Sequence, residues 1–335
     1  MHLKNTNRKF GRVISNSNIL PITRRLNIKL PDLKDYKAQF ELKGVELPLP
    51  TVRAYPEGIL RELPTPEIQH NGWPWTTEVD QSLYNTRTDW PKLTIVTPSF
   101  NQGQFIEQTI RAVLLQNYPN LEYIVIDGGS TDNTPQVLKK YEQWISYWHS
   151  EKDRGQSHAI NQGFSLAAGT YYAWINSDDY YTEETFLKAI NEFINSKCDF
   201  VYGYSLDYLV EEQKFRPLNK IVPINDHLIR FPSLAQPSCF WSAAIHQPIW
   251  EELHCSLDYE LWLRMVKGQK KKLIKAPLSI TNVHADAKTS DPKMEAKWQA
   301  DHLLICSANA HGPVLNWNRL AIINRIRNKI YKWLN

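Results

Sequence analysis

The stretch YYAWINSDDYY, Tyr171 to Tyr181, decides how this chain is read. An aromatic, apolar run with the look of a buried strand ends on two adjacent carboxylates, Asp178 and Asp179. Burying an unpaired carboxylate is costly, and two neighbours raise each other's pKa. Either the strand stops there and both acids face water, as at many strand-to-turn junctions, or a cation sits between them and another group. The choice depends on the segments at the ends of the other strands.

Upstream, LTIVTP (Leu93 to Pro98) is a short β-branched run and predicts a strand. GQFIEQTIRAVLLQN (Gly103 to Asn117) carries Phe105, Ile106, Ile110, Val113 and Leu114 at helical spacing. EYIVIDGGS (Glu122 to Ser130) predicts a second strand ending in a glycine turn. TDNTPQVLKKYEQW then opens a helix, with Asp132 or Asn133 as cap and Pro135 in its first turn. SYWHS (Ser146 to Ser150) predicts a third strand, and SHAINQGFSLAAG (Ser157 to Gly169) a helix with a glycine stop. TYYAWI (Thr170 to Ile175) is the fourth strand, TEETFLKAINEFIN a helix with Thr182 as cap, and CDFVYGYS a further strand. Strands alternating with helices imply a mostly parallel sheet with right-handed crossovers. Ligands bind such sheets at the carboxyl ends of the strands. Four strands end in TPSFNQG, DGGSTDN, SEKDRGQ and NSDD, so all four polar segments are expected at one rim. That coincidence favours the cation reading of Asp178 and Asp179.

The flanks differ. The first ninety residues are rich in Pro, Asn and Arg, with breakers such as LPLP (Leu47 to Pro50) and LPTPE (Leu63 to Glu67). They predict an extended arm or a small irregular subdomain, partly ordered by the main body. Residues 91–290 form the main domain, a strand-rich half over 91–204 and a second half over 205–290; residues 291–335 form a C-terminal helical segment. Its end, VLNWNRLAIINRIRNKIYKWLN, puts Leu320, Ile323, Ile330 and Leu334 on one side of a helix. Arg319, Arg325, Arg327, Lys329 and Lys332 add charge that no acid offsets, and Met1 to Leu30 also lacks Asp and Glu. Such a helix, with Trp317 and Trp333, suits an anionic membrane surface, or it docks on its own domain. A cytoplasmic protein, peripheral on the inner face of the membrane, is the corresponding location.

Bulk properties exclude other classes. No run of roughly eighteen apolar residues occurs, so no transmembrane helix is expected, and the N-terminus lacks the apolar core of a signal peptide. Cys198, Cys239, Cys255 and Cys306 are scattered, which argues against a zinc site or a disulfide framework and fits a reducing compartment. A net charge of +4 is too small to point to nucleic acid. No GxxxxGK[ST] loop is present, and no GxGxxG follows the first strand.

At the rim, Asp127 can accept hydrogen bonds from a base or from ribose, or can brace the Gly128-Gly129 turn. Arg154 can meet a phosphate, or pair with Asp153. Asp178 and Asp179 supply hard oxygens suited to Mg²⁺ or Mn²⁺, with a diphosphate completing the shell.

The order TPSFNQGQFIEQTIRAVLLQNYPNLEYIVIDGGSTDNT, then DRGQSHAINQGFSLAAGTYYAWINSDD, resembles the nucleotide-sugar domain of family 2 glycosyltransferases of the polysaccharide-assembly type, which have the GT-A fold. The likeness is close from Leu93 to about Tyr204, looser to about Ser290, and absent from the flanks. It implies a Rossmann-like α/β sheet flanked by helices. Thr97, Pro98 and Ser99, with Asn101 beyond them, match the strand end that lines the nucleoside. Asp127 matches the acid that reads the base, and Asp132 the acid after the turn. Asp153, Arg154 and Gly155 match the loop beside ribose and diphosphate. Asn176, Ser177, Asp178 and Asp179 match a DXD-like motif whose first position is more often Asp; Asp178 is favoured as the metal contact, with nucleotide contacts from Asn176 and Ser177. His284 resembles a third metal ligand of some relatives.

In the second half, SLDYELWLRM (Ser256 to Met265) resembles the acidic segment that supplies a catalytic base. Asp258 matches that base and Glu260 is the runner-up; both can equally be helix caps. Trp241 in AQPSCFWS offers a face for an acceptor sugar. The implied reaction is inverting transfer of a sugar from a nucleoside diphosphate, UDP favoured, to a hydroxyl of a saccharide or lipid-linked acceptor, with a divalent metal. A nucleotidyltransferase and a non-catalytic nucleotide-sugar-binding scaffold are the competing readings. The first lacks its glycine- and arginine-rich loop; the second draws only on Asn176.

Overall fold

The computed structural model describes residues 28–66, 70–224, 226, 234–285, 287–288, 291–308 and 317–334. One sheet dominates the described residues. Its first half is built of β1 (Leu93–Ser99), β2 (Leu121–Asp127), β3 (Tyr147–Ser150) and β4 (Tyr171–Trp174). These run parallel in the order β3-β2-β1-β4. Every residue of β1 and β2 is buried, because helices cover both faces. Those helices are α2 (Ile106–Leu114), α3 (Thr134–Tyr141) and α4 (Gln156–Leu166). Ser99 lies opposite Asp127, and Asp127 opposite Ser150, so three predicted strand ends finish level at one rim.

The second half is mixed. After β5 (Asp179–Tyr181) and α5 (Thr185–Ser196) come β6 (Phe200–Leu209), β7 (Lys214–Phe215), β8 (Cys239–Ser242), α6 (Leu257–Met265) and β9 (Lys271–Val283). β8 joins β4 to β6 with antiparallel pairing on both sides, and β9 runs parallel to β6 but antiparallel to β5. Parallel pairing thus holds for the nucleotide-side half and gives way beyond β4. Thr182 does not cap α5: the cap position is Glu184, in the left-handed region at φ 60°. The Thr182 hydroxyl instead pairs with that of Thr185 at 3.0 Å and donates to the Pro277 carbonyl at 2.9 Å.

The N-terminal segment is more ordered than its composition suggests. Asp32 accepts from the Lys34 amide and starts α1 (Leu33–Leu42), whose Tyr36 and Phe40, one turn apart, are buried. The following irregular chain gives Leu49, Val52, Ile59, Leu63, Val79, Tyr84 and Trp90 to the same core as the sheet. Buried Arg111 of α2 ties that chain down by donating to the carbonyls of Pro64, Pro74 and Trp75.

At the other end lie α7 (Glu295–Ser307) and α8 (Trp317–Leu334). Ile323, Ile326, Ile330 and Tyr331 of α8 line an open groove with Val222 and Pro223. Arg327 donates to the Pro223 carbonyl. Ile322, Ile326 and Trp333 remain exposed, Trp333 at 83%. The helix therefore docks only partly: Ile323, Ile326 and Ile330, which line the groove, stay about half exposed. No helix among the described residues is long and apolar enough to cross a membrane. All four cysteines are free thiols.

Candidate active site

The rim is first of all a self-supporting frame. Asp127 is fully buried, and its carboxylate accepts from the Ser130 amide at 2.9 Å, the Ser130 hydroxyl at 2.5 Å and the Ser150 hydroxyl at 2.6 Å. Bracing of the glycine turn is therefore real, and it uses most of what a carboxylate can accept. Asn101, at φ 52°, accepts from the Thr131 amide at 2.9 Å, and its own amide donates to Ser130 at 2.7 Å. Asp132 accepts from the Gly103 amide at 2.8 Å and the Thr134 amide at 2.9 Å, latching the loop after β1 to the start of α3. Burial works to raise its pKa, but the Thr134 hydroxyl and these amides outweigh burial and hold it low. Thr97 turns inward, 3.2 Å from the Tyr123 hydroxyl, and Pro98 is buried, so both shape the strand end from behind. Ser99 is different. Its hydroxyl oxygen is buried at the rim and has no partner, a polar group awaiting one.

The loop after β3 brings a second carboxylate to the first. Asp153 accepts from the Gly155 amide at 2.7 Å. Its pKa is raised by burial, the repulsion of Asp127 adding to it. A Cβ on Gly128 would lie 3.0 Å from an Asp153 oxygen, so a larger residue there would press on that carboxylate. Gly155 sits at φ +111° and turns the chain into α4, a conformation other residues rarely adopt.

Arg154 does not take the Asp153 partner that the sequence offered. Its guanidinium donates to Glu251 and to the Tyr36 hydroxyl, each at 2.7 Å. Burial, then the hydrogen bond to Glu251, pushes Tyr36 up to about 12, so it stays a phenol. Lys43, at the end of α1, meets Glu151 of the same loop at 2.5 Å. The physical reason is competition: α1, which sequence patterning left unassigned, supplies Tyr36, and Glu251 supplies a fixed carboxylate.

The two aspartates of the opening stretch part company. Asp179 enters β5, is 5% exposed, and accepts from the Asn282 amide at 3.2 Å. Burial, with Asp178 beside it, holds its carboxyl well above the usual range. Asp178 points the other way, and its Oδ2 lies 3.3 Å from Nε2 of His284, 106 residues further on. Asn282 fixes the turn by donating to the Asp178 carbonyl at 2.7 Å, and Phe105 packs against the His284 ring at 4.6 Å. Ser177 is buried, and its carbonyl accepts from Thr109. Asn176 accepts from Gln156 at 2.8 Å. No three His, Cys, Asp or Glu side chains converge among the described residues. One carboxylate and one imidazole, meeting through Asp178 Oδ2 and His284 Nε2, nonetheless suit a divalent cation that takes its other ligands from a bound diphosphate and water. Asp178 and His284 are the residues that would hold it.

On the far side, α6 carries Asp258 in its first turn. The Asp258 carboxylate accepts from the Tyr259 amide at 2.8 Å, and burial raises its pKa. The turn before it is clamped by Asp301 of α7, fully buried, which accepts from the amides of His254, Cys255 and Ser256. Nothing in the local sequence marks Asp301, since an acid among helical residues is ordinarily a surface residue. Two acceptor-side expectations are corrected. Glu260 is fully buried in a two-pronged pair with Arg264, at 2.5 and 2.8 Å, which leaves it no access to a hydroxyl. Trp241 is also fully buried, edge-on to Trp174 and Trp262 and stacked on His246, and cannot present a face to a sugar. Its β8 neighbours Cys239 and Phe240 are buried with it.

Comparison with known proteins places this geometry. Residues 94–250 match the model of glycosyl transferase family 2. A putative teichuronic acid biosynthesis glycosyltransferase, TuaG of Bacillus subtilis, is 34% identical over 140 residues, 40% of this chain and 54% of that protein. An uncharacterized glycosyltransferase of Rickettsia typhi is 27% identical over 229 residues, 62% of this chain and 70% of that one. The chain thus spans about half the length of the Bacillus relative. Among solved structures, S. aureus TarS 1–349 in complex with UDP-GlcNAc superposes with a TM-score of 0.52 at 17% identity, over 64% of this chain and 66% of that one. That likeness is one of fold, a GT-A-like sheet with flanking helices.

Proposed function

We propose that this chain, whose residues 94–250 match the model of glycosyl transferase family 2, belongs to that family and transfers a sugar from a nucleoside-diphosphate donor to a hydroxyl of a saccharide or lipid-linked acceptor, with inversion. The observation that carries this reading is the meeting of Asp178 and His284 at the rim where the parallel strands end. Beside them, the partnerless Ser99 hydroxyl and the Asp153 carboxylate lie at the same edge, acceptors suited to a base or ribose, with Asp127 bracing the turn behind them.

Chemically, the bond between the anomeric carbon and the diphosphate oxygen breaks, and its electron pair leaves with the diphosphate. The acceptor oxygen bonds to that carbon from the opposite face, and its proton passes to Asp258. A divalent Mg²⁺ or Mn²⁺ held by Asp178 and His284 would supply positive charge to the departing diphosphate. Asp258 is held for its part by the Asp301 clamp, and its raised pKa brings it nearer to the pH at which a base must work. UDP is the first nucleotide to try, on the family resemblance; GDP and dTDP follow.

Location follows from α8. Exposed Ile322, Ile326 and Trp333 lie beside Arg325 and Lys329 with no acid on the helix, a pattern that suits the anionic cytoplasmic leaflet and a lipid-linked acceptor.

The test is thermal stability with UDP, GDP and dTDP, each with and without Mn²⁺, repeated on Asp178→Ala. A ligand that binds only the native state raises the melting temperature. One nucleotide is expected to shift it, only with metal, and the substitution to abolish the shift. A chain indifferent to all three nucleotides would sink the donor reading.

A further inference from the structure

We infer that Lys288, not Arg154, is the cation this chain offers to the donor's diphosphate; the inference rests on the donor reading proposed above. Family resemblance points to Arg154, but its Nη2 pairs with Glu251 and Tyr36, and the Glu251 carboxylate already matches its charge. Lys288 lies four residues beyond His284 in the chain segment that follows β9. Its ammonium donates to Gln156 Oε1 at 2.6 Å and to the His254 carbonyl at 3.2 Å. Gln156 in turn donates to Asn176, the first residue of the NSDD motif, at 2.8 Å. His254 sits in the turn clamped by Asp301, just before Asp258. One ammonium therefore bridges the two halves of the site.

Three features fit this ammonium to an anionic ligand. Both of its hydrogen bonds end on neutral oxygens, so its charge is not matched by them. An ammonium has three donors, and these bonds occupy two. Burial lowers the Lys288 pKa, with Cys255 and Asp178 working against that, and the Lys288 charge in turn favours the ionised form of Asp258. A point charge on a long stem can follow a phosphate from the bound donor to the departing diphosphate, which a guanidinium fixed in a fork cannot. Nothing in the sequence marks this lysine. HADAKTS follows a strand end without a motif, and the neighbours of Lys288 are distant in the chain: Gln156 by 132 residues, His254 by 34.

The experiment measures affinity for UDP, GDP and dTDP and for the matching monophosphates, with Mn²⁺, on the unaltered chain, Lys288→Met and Lys288→Arg. Methionine keeps the length and the apolar stem, and arginine keeps the charge. Lys288→Met is expected to lower the preference for diphosphate over monophosphate roughly ten-fold, the scale of one charge-assisted hydrogen bond. Lys288→Arg is expected to keep most of that preference. Monophosphate affinity, which reports the nucleoside side of the site, is expected to stay within about two-fold. An unchanged preference in Lys288→Met, or a loss shared equally by both nucleotides, overturns the assignment and leaves Lys288 a strut between the halves. If the unaltered chain binds none of the nucleotides, the donor reading falls and this inference with it.

Discussion

Asp127 and Lys288 stand on opposite sides of one rim and are held in opposite ways. Asp127 ends a parallel strand, is fully buried, and takes three hydrogen bonds from serines of its own half. Lys288 follows the last strand and is tied by two neutral oxygens, one from each half. The contrast extends to their neighbours. On the nucleotide side, Asn101, Asp132 and Asp153 spend hydrogen bonds on backbone amides of adjacent loops. Where the halves meet, Asp178 faces His284, and on the acceptor side the Asp258 carboxylate accepts from the Tyr259 amide through one oxygen. A frame whose polar groups satisfy one another is rigid but has little left to offer a ligand. The proposed site thus joins a braced half to a half whose polar groups are less fully paired with one another.

Several substitutions can break or sharpen that division. Asp258→Asn removes the proposed base with little change in shape. Transfer is expected to fall by about 10² to 10⁴, while nucleotide binding persists; undiminished turnover would remove Asp258 from the reaction. The sign of its pH dependence is fixed. Burial raises its pKa above the ordinary 3.8, so the base is lost by protonation as pH falls through that raised value. The acid limb of the rate profile should therefore lie above the ordinary aspartate range, and should vanish in a variant whose residual rate bypasses this group.

Trp241→Ala comes next. Emptying a fully buried indole costs about 3–5 kcal/mol of stability. Denaturant melts should show that loss, with no selective rise in acceptor KM in the fraction that remains folded. A selective rise with an intact melt would mean that the ring does reach the acceptor.

Arg154→Ala is a smaller change. The guanidinium side of its ion pair is 61% exposed, so the stability loss should be about 1 kcal/mol or less. Affinity for a nucleoside diphosphate should hardly move. A large drop in affinity would return Arg154 to the phosphate and erase the contrast with Lys288. The smallest effect is expected at α8. Ile322→Asp, outside the docking groove, should weaken co-sedimentation with anionic vesicles at low salt and leave the rate on a soluble acceptor unchanged. Equal sedimentation of both chains would leave α8 as a docked helix.

Much of this was legible without coordinates. The alternation of β-branched runs with helical spacing determined the parallel half, since burial on two faces demands continuous apolar strands, and strand direction then puts every polar strand end on one edge. The same reading found Asp127, Asp153 and Asp178. It could not tell Asp178 from Asp179, because a strand reverses its side chains at each residue. Only the pairing of Asp179 with Thr281 on β9 decides which of the two is buried. Trp241 and Glu260 misled for a related reason. Aromatic and acidic residues beside a site look alike whether they line it or support it, and burial becomes visible only when strands and helices pack. Arg154, Glu251, Tyr36, Asp301 and Lys288 depend on partners 34 to 132 residues away. Local sequence determines backbone periodicity and where charges can occur. Which charges are spent on one another, and which stay available to a ligand, is a property of distances that only the tertiary structure creates.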